Sequence, residues 1–410
     1  MKVAEQCLSD REEVEIMNFE EIKKSDNELI MSTYGRFPVC LVEGKGATAV
    51  DINLKKYIDF GGGIGVNSLG YCDDGYVDAV CAQVKKLQHT SNLYYTEPQL
   101  EAASKLVKLS GMKKVLFCNS GAEANECAIK IARKYSFDKF KNDRNKIVTL
   151  QNSFHGRTVT TLAATGQDAF HNYFFPFTEG FAFAKANDFK KTIEVIDDKT
   201  CAVMLELVQG EGGVVPLDKE YVQKLARYCQ SKDILVVIDE IQTGVGRTGT
   251  FYAYQQFDIK PDIVTSAKGL GGGLPIGACL VSDKCSDVLT PGTHGTTFGA
   301  NPVVCAAANY ILSQILDTDL LERVSEKGEY IRSRLVKMPG VVEVRGLGMM
   351  VGAVLENNDS KVVANKALEN GLLVLTAKTI LRLLPPLNIS MKELSDGLDI
   401  LEKTLKEIFE

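Results

Sequence analysis

Two side chains stand where they could do chemistry together. Lys268 lies in Ser266-Ala267-Lys268-Gly269-Leu270-Gly271-Gly272-Gly273, a loop of small residues. Asp239 closes the apolar run Leu235-Val236-Val237-Ile238. A lysine among glycines can approach a flat ligand closely, because no Cβ stands in the way. A carboxylate at a strand's end can keep a ring nitrogen protonated. The combination suits pyridoxal 5'-phosphate (PLP), whose aldehyde is held by a lysine and whose pyridine is kept cationic by an acid. Taken singly, such a lysine is ordinarily a surface residue and such an aspartate a turn or a cap. The pair gains meaning from what accompanies it.

A phosphate needs its own cradle. Val115-Leu116-Phe117-Cys118 runs into Asn119-Ser120-Gly121-Ala122-Glu123, after which Ala124, Cys127, Ala128 and Ile131 recur at helical spacing. Ser120 and Glu123 make a capping-box pattern. Gly121 lets a backbone N–H come close, and the free N–H groups of a helix N-terminus attract anions. A well-capped helix is the plainer explanation, but its place after a strand favours Ser120, Gly121 and Ala122 as phosphate ligands. A second glycine motif, Gly244-Val245-Gly246-Arg247-Thr248-Gly249, fits G-x-G-x-x-G. Its context is wrong for a dinucleotide: Asp239–Gln242 intervene, Thr250–Tyr254 open no amphipathic helix, and no second strand ends in an acid at the required distance.

The elements that must position these residues follow from the pattern. Apolar runs at Lys114–Cys118, Ile147–Leu150, Cys201–Leu205, Leu235–Ile238, Ile263–Thr265 and Cys279–Ser282 alternate with helical stretches such as Ala122–Tyr135 and Lys219–Ser231. That alternation predicts an α/β fold with a mostly parallel sheet, whose ligands gather at the carboxyl ends of strands. Before it, 1–30 reads as an acidic leader of helical character, 39–60 as short strands, and 75–88 and 99–109 as helices. After it come a long helical segment from Pro302 to Leu335, strands around 341–354, a helix near 361–370, strands at 372–374 and 379–384, and a last helix opened by a Ser390/Glu393 capping box. Three units are expected: 1–70 contributing to a small domain, 71–305 as the large ligand-binding domain, and 306–410 as the α+β small domain.

Composition narrows the class. The chain has 410 residues and a net charge of -6, with 47 basic and 53 acidic residues, which argues against nucleic acid or an anionic membrane as partner. Its start lacks the apolar core of a secretory signal, and no apolar stretch approaches a membrane span. Eleven scattered cysteines without a C-x-x-C pair suit reduced thiols in the cytoplasm. Four histidines in no metal-ligand spacing suggest no metal site.

Five ordered stretches together resemble the class III aminotransferases (ornithine/acetylornithine type) of PLP fold type I: Phe117–Glu126, Phe154-His155-Gly156-Arg157-Thr158, Val208–Gly213, Asp239–Gly249 with the Lys268 loop, and His294–Pro302. Ser32–Val39 resembles the opening of the acetylornithine subgroup. Leu207, Ala300 and the turn Tyr71-Cys72-Asp73-Asp74 depart from the family's usual residues. The resemblance implies that Lys268 holds the aldehyde and shuttles the proton, that Asp239 pairs with the pyridinium, and that Gln242 bonds the ring O3'. It further implies that Phe154 stacks on the ring and that Gly121 and Ala122 offer N–H groups to the phosphate. Thr297 is expected to reach the cofactor of a second subunit, with Thr296 close to substrate, in a homodimer with shared sites. Arg157 and Arg382 are the expected carboxylate clamps. Arg382 sits in an apolar strand and needs an acid, for which the family supplies Glu211. The implied reaction moves the terminal amino group of N-acetylornithine to 2-oxoglutarate, giving N-acetylglutamate 5-semialdehyde and glutamate in arginine biosynthesis. Ornithine, succinylornithine and 4-aminobutyrate are the alternative donors. An aminomutase or racemase, or a non-catalytic PLP-binding protein, are the alternatives of another class.

Overall fold

The computed structural model describes residues 17–141, 143–357 and 359–410. The first part of the expected acidic leader, residues 1–16, lies outside the described residues. A helix follows at Phe19–Leu29, where the Asn18 side chain accepts Glu21 N–H and the Glu21 carboxylate accepts Asn18 N–H.

Three antiparallel strands come next, β1 (Leu41–Lys45), β2 (Thr48–Asp51) and β3 (Lys56–Asp59). The turn between β1 and β2 needs the left-handed conformation that Gly46 supplies at φ +58°. Helices Asp74–Lys86 and Glu97–Ser110 then pack on a later helix, Pro302–Asp317.

The central sheet has seven strands: β4 (Lys114–Cys118), β5 (Lys146–Leu150), β6 (Phe181–Ala184), β7 (Thr200–Leu205), β10 (Leu235–Asp239), β11 (Ile263–Ser266) and β12 (Gly277–Val281). Between β7 and β10 a small hairpin, β8 (Val208–Gln209) with β9 (Val215–Pro216), juts from the sheet and carries Glu211 at its tip. The spatial order is β4-β12-β11-β10-β7-β5-β6, and β12 alone runs against the rest. Every residue of β7, β10, β11 and β12 is buried. That is the consequence of covering a parallel sheet on both faces, and it explains why these strands read as continuous apolar runs.

The region after 300 is more broken than its periodicity suggests. The single helical segment expected from Pro302 to Leu335 is two helices, Pro302–Asp317 and Leu320–Leu335. Thr318 adopts an extended conformation between them, and its hydroxyl accepts Leu320 N–H at 3.2 Å. β13 (Val341–Leu347), β14 (Met350–Leu355), β16 (Leu375–Ala377) and β17 (Ile380–Leu383) form an antiparallel sheet in the order β13-β14-β17-β16. β15 (Leu372–Leu373) leaves that region to pair in parallel with β3. The last helix, Met391–Phe409, begins with the reciprocal Ser390/Glu393 bonds that its sequence announces.

Candidate active site

Four parallel strands end at one place. β4 leads to Ser120 and the helix Gly121–Phe140, β5 to Phe154 and Arg157, β10 to Asp239 and β11 to Lys268. Their ends enclose a cavity of about 240 Å³ lined by Gly121, Ala122, Phe154, His155, Gly156, Arg157, Glu206, Asp239, Ile241, Gln242 and Lys268. Ser120 lies beside it as the N-cap, its hydroxyl accepting Glu123 N–H at 3.2 Å. The reciprocal half of the capping box is missing, because Glu123 instead accepts Asn119 N–H at 2.8 Å. The first-turn N–H groups of Gly121 and Ala122 have no intrahelical acceptor, so this rim of the cavity suits an anion.

Asp239 is buried, and three groups hold it. Asn125 Nδ2 donates to Oδ2 at 2.8 Å, His155 Nδ1 lies 2.8 Å from the same oxygen, and Ile241 N–H donates to Oδ1 at 3.1 Å. Asn125 is itself oriented, its Oδ1 accepting Thr265 Oγ1–H at 2.7 Å. Burial pulls the His155 imidazole down, but the Asp239 carboxylate outweighs it and leaves the pKa above the ordinary value. Glu206 lines the same cavity and accepts the N–H groups of Phe154 at 2.8 Å and Gly210 at 3.2 Å. Burial pushes its carboxyl up to about 7.

Lys268 follows β11 with φ +43°, a conformation uncommon for a residue with a side chain. Burial lowers its pKa, and the positive charge of Arg382 adds to that, while Glu211, Asp239 and Glu206 pull it back up. A lysine so placed gains neutral, nucleophilic amine at moderate pH. Phe154 is half-buried on the cavity wall, edge-on to Phe170 at 6.0 Å. Arg157 is exposed at the mouth, with its guanidinium 4.4 Å from the Phe170 ring centre.

Arg382, on β17, is buried and donates from Nη1 to Glu211 Oε1 at 2.5 Å and to Gln242 Oε1 at 3.1 Å. Its Nε has no partner among the described residues. Burial alone would raise the Glu211 carboxyl, but the guanidinium holds it below the ordinary range. Gly210 permits this crowding, since a Cβ there would stand 2.3 Å from Gln242 Oε1. The structure thus brings together ten of the twelve residues expected from the sequence. The two threonines stand apart: Thr296 accepts a hydrogen bond from Asn119 Nδ2 at 2.9 Å, and Thr297 is exposed and outside the cavity lining.

Three residues of the site escaped the sequence reading as individuals: Asn125, His155 and Glu206. A signal existed for Asn125, an amide on the otherwise apolar stripe of its helix between Ala124, Cys127 and Ala128. The cavity offers an amine, a carboxylate with a lone pair to spare, an aromatic wall and an anion-ready helix end. Such a set can hold a flat cationic ring with an anionic tail.

Residues 30–405 match the family model of the class-III aminotransferases. The chain is a class III aminotransferase. This aminotransferase is 52% identical over 396 residues to the acetylornithine aminotransferase of Haemophilus ducreyi, across 96% of this chain and 100% of that protein. Its structure matches that of the ornithine aminotransferase from Toxoplasma gondii ME49, with a TM-score of 0.92, 33% identity, and 96% of each chain covered. A second structure of the Toxoplasma gondii enzyme, described as having partial occupancy of PLP at its active site, gives a TM-score of 0.90 and 32% identity over 99% of this chain and 97% of that one. The fold is PLP fold type I, as the family resemblance implied, with the mostly parallel sheet that the strand pattern predicted. The enzyme transfers an amino group between an amino donor and a keto acid.

Proposed function

We propose that this aminotransferase uses PLP to move the terminal amino group of N-acetylornithine to 2-oxoglutarate, giving N-acetylglutamate 5-semialdehyde and glutamate, as a step of arginine biosynthesis in the cytoplasm. The observation that carries this reading is the pair of buried Arg382 with half-buried Glu211 at 2.5 Å, bonded also to Gln242 of the cavity that Arg157 lines. The name of the Haemophilus ducreyi relative supports the choice of donor.

When bound, PLP supplies an electron sink for the substrate carbon that loses its proton. The residues around the cavity fit it. Lys268 would hold the aldehyde and would serve as the base and acid for the proton of the substrate carbon. Asp239 would keep the ring nitrogen protonated, with Asn125 and His155 fixing the carboxylate. Phe154 would stack on the ring. Gln242 would bond its hydroxyl, and Ser120, Gly121 and Ala122 would receive the phosphate.

Glutamate presents two carboxylates, one for Arg382 and one for Arg157. N-acetylornithine places its α-carboxylate on Arg157, and its neutral acetamido end cannot satisfy Arg382. Glu211 therefore neutralises Arg382 for that substrate and swings away for glutamate. An unpaired guanidinium in this buried place is costly, which makes the exchange close to all-or-none.

Thr297 completes the phosphate site of a second copy, and Thr296 lies close to substrate, in a homodimer with shared sites. The position of Thr297 outside the cavity of its own chain supports that assembly. The same reading divides the chain into 1–70, 71–305 and 306–410, with the first and last joined by the pairing of β15 on β3. A donor screen tests the proposal. Purified holoenzyme is offered N-acetylornithine, succinylornithine, ornithine or 4-aminobutyrate with 2-oxoglutarate, and glutamate is measured. N-acetylornithine should give the highest kcat/KM; a clear preference for 4-aminobutyrate or free ornithine would overturn it.

A further inference from the structure

The segment Gly244–Gly249 takes no part in the cavity, yet it holds a buried cation without an acid. Arg247 is 2% exposed, and among the described residues no carboxylate pairs with it. Its Nη1 donates to the carbonyls of Pro385 at 2.5 Å and Met349 at 3.3 Å, while Nη2 has no partner among the described residues. Its own carbonyl accepts Met349 N–H at 3.0 Å. The chain turns sharply here, with Val245, Gly246 and Gly249 at φ +55°, +88° and +94°. Gly348 lies so close to the Thr248 backbone that a Cβ there would come within 2.5 Å of the Thr248 carbonyl carbon.

Met349 precedes β14 and Pro385 follows β17 by two residues, and these strands pair with Val351 opposite Leu383 and Gly352 opposite Arg382. One guanidinium therefore ties the ends of two adjacent strands to the loop that begins at Gln242. A second buried cation acts on the same segment: Lys327 Nζ donates to the carbonyl of Leu387 at 3.1 Å, also with no acid bound to it among the described residues. An apolar side chain of similar volume would fill either place with less desolvation cost. What an apolar side chain cannot do is bond two carbonyls, one just before β14 and one just after β17, through a single cationic nitrogen.

We propose that Arg247, seconded by Lys327, is a positioning residue for dicarboxylate recognition: it fixes the carboxyl end of β17 against the Gln242 loop and so sets where Arg382 presents its guanidinium. The inference rests on the reading of Arg382 as a carboxylate clamp. Neither cation touches substrate. Loosening the clamp should harm the substrate that uses Arg382 and largely spare the one that does not.

The test uses holoenzyme carrying Arg247→Met, Arg247→Lys or Lys327→Met, with Arg382→Lys as reference. Calorimetry reads the Kd of glutarate, an unreactive dicarboxylate, and kinetics read KM for glutamate and for N-acetylornithine. Arg247→Met should raise the glutarate Kd and the glutamate KM about tenfold, as for a lost charge-assisted bond, and change the N-acetylornithine KM less than about threefold. Arg247→Lys should fall between wild type and Met, because it keeps a cationic donor but on a shorter side chain that cannot place it between both carbonyls. Equal weakening of both substrates, or an unchanged glutarate Kd, overturns the proposal. Should Arg247→Met not fold, Lys327→Met takes its place: glutarate weakened more than N-acetylornithine supports the clamp, and a wild-type glutarate Kd overturns it. If Arg382→Lys itself leaves glutarate binding intact, the reading of Arg382 fails and the proposal with it. If Arg382→Lys weakens glutarate and the clamp variants do not, the clamp alone fails.

Discussion

Asp239 shows how firmly the neighbours of a buried carboxylate can orient it. Asn125 and His155 bond Oδ2, and Ile241 N–H bonds Oδ1. Losing one such charge-assisted bond is worth about 1.5–3 kcal/mol. Asn125→Ala should therefore lower kcat/KM by roughly tenfold to a hundredfold with the fold intact, measured by steady-state kinetics beside circular dichroism. On the proposed reading, Glu211 serves one substrate and not the other. Glu211→Ala should slow the N-acetylornithine half-reaction far more than the glutamate half-reaction, whereas Arg157→Ala should impair both. Single-turnover rates for each half separate the two, and equal losses in both halves for Glu211→Ala would refute the exchange of partners at Arg382. At this scale the sequence was most legible where a residue contradicts its surroundings. Arg382 in an apolar strand demanded an acid, and Glu211 is the acid found there. Glu206 gave no such sign, because a glutamate after a strand is unremarkable until its burial is known.

Glu240 sits beneath the turn that joins β10 to the glycine segment. Its carboxylate accepts Thr243 Oγ1–H at 2.5 Å and Tyr254 N–H at 2.9 Å, and burial pushes its pKa up to about 7. A carboxyl whose folded pKa lies above its unfolded value favours the native state while protonated. Its contribution is whole below about pH 4.5 and is lost as the pH rises through about 7. Glu206 titrates in the same window and in the same direction. The melting temperature should thus fall between pH 5.5 and 8, by an amount equivalent to a few kcal/mol at most, and Glu240→Gln should flatten that slope. Differential scanning calorimetry across that range decides it; an unchanged slope would remove Glu240 from the account. Elements were legible where length and burial agree. The long buried strands announced themselves, but β6 and β16, with four and three residues at sheet edges, did not. The break at Thr318 hid inside an unbroken helical periodicity, because a threonine that caps the next helix looks like one that continues the last.

Over the whole molecule, apolar side chains remain exposed in groups. Leu93, Tyr94 and Tyr95 form one run, Tyr173, Phe174 and Phe175 another, and Phe298 stands next to Thr297. Exposed apolar patches of this kind mark association surfaces. If Thr297 serves the neighbouring copy, two broken chains can make one good site. Lys268→Ala and Thr297→Glu should each be nearly inactive, and co-expressed they should recover about a quarter of wild-type activity. Half the dimers then pair unlike chains, each with one intact site. No recovery in verified heterodimers would sink the shared-site assembly. None of this could be read from one chain's periodicity, which reports only what the chain buries against itself.

The parallel contact between β15 and β3 has a consequence in time as well as space. Ile58 and Asp59 wait for Leu372 and Leu373, more than three hundred residues downstream. On a ribosome the first strands emerge long before their neighbour has been made, and the seven-stranded sheet has every residue it needs earlier than they do. The amino-terminal strands thus stay an open edge until synthesis is nearly over, and the newborn chain is most exposed to aggregation there.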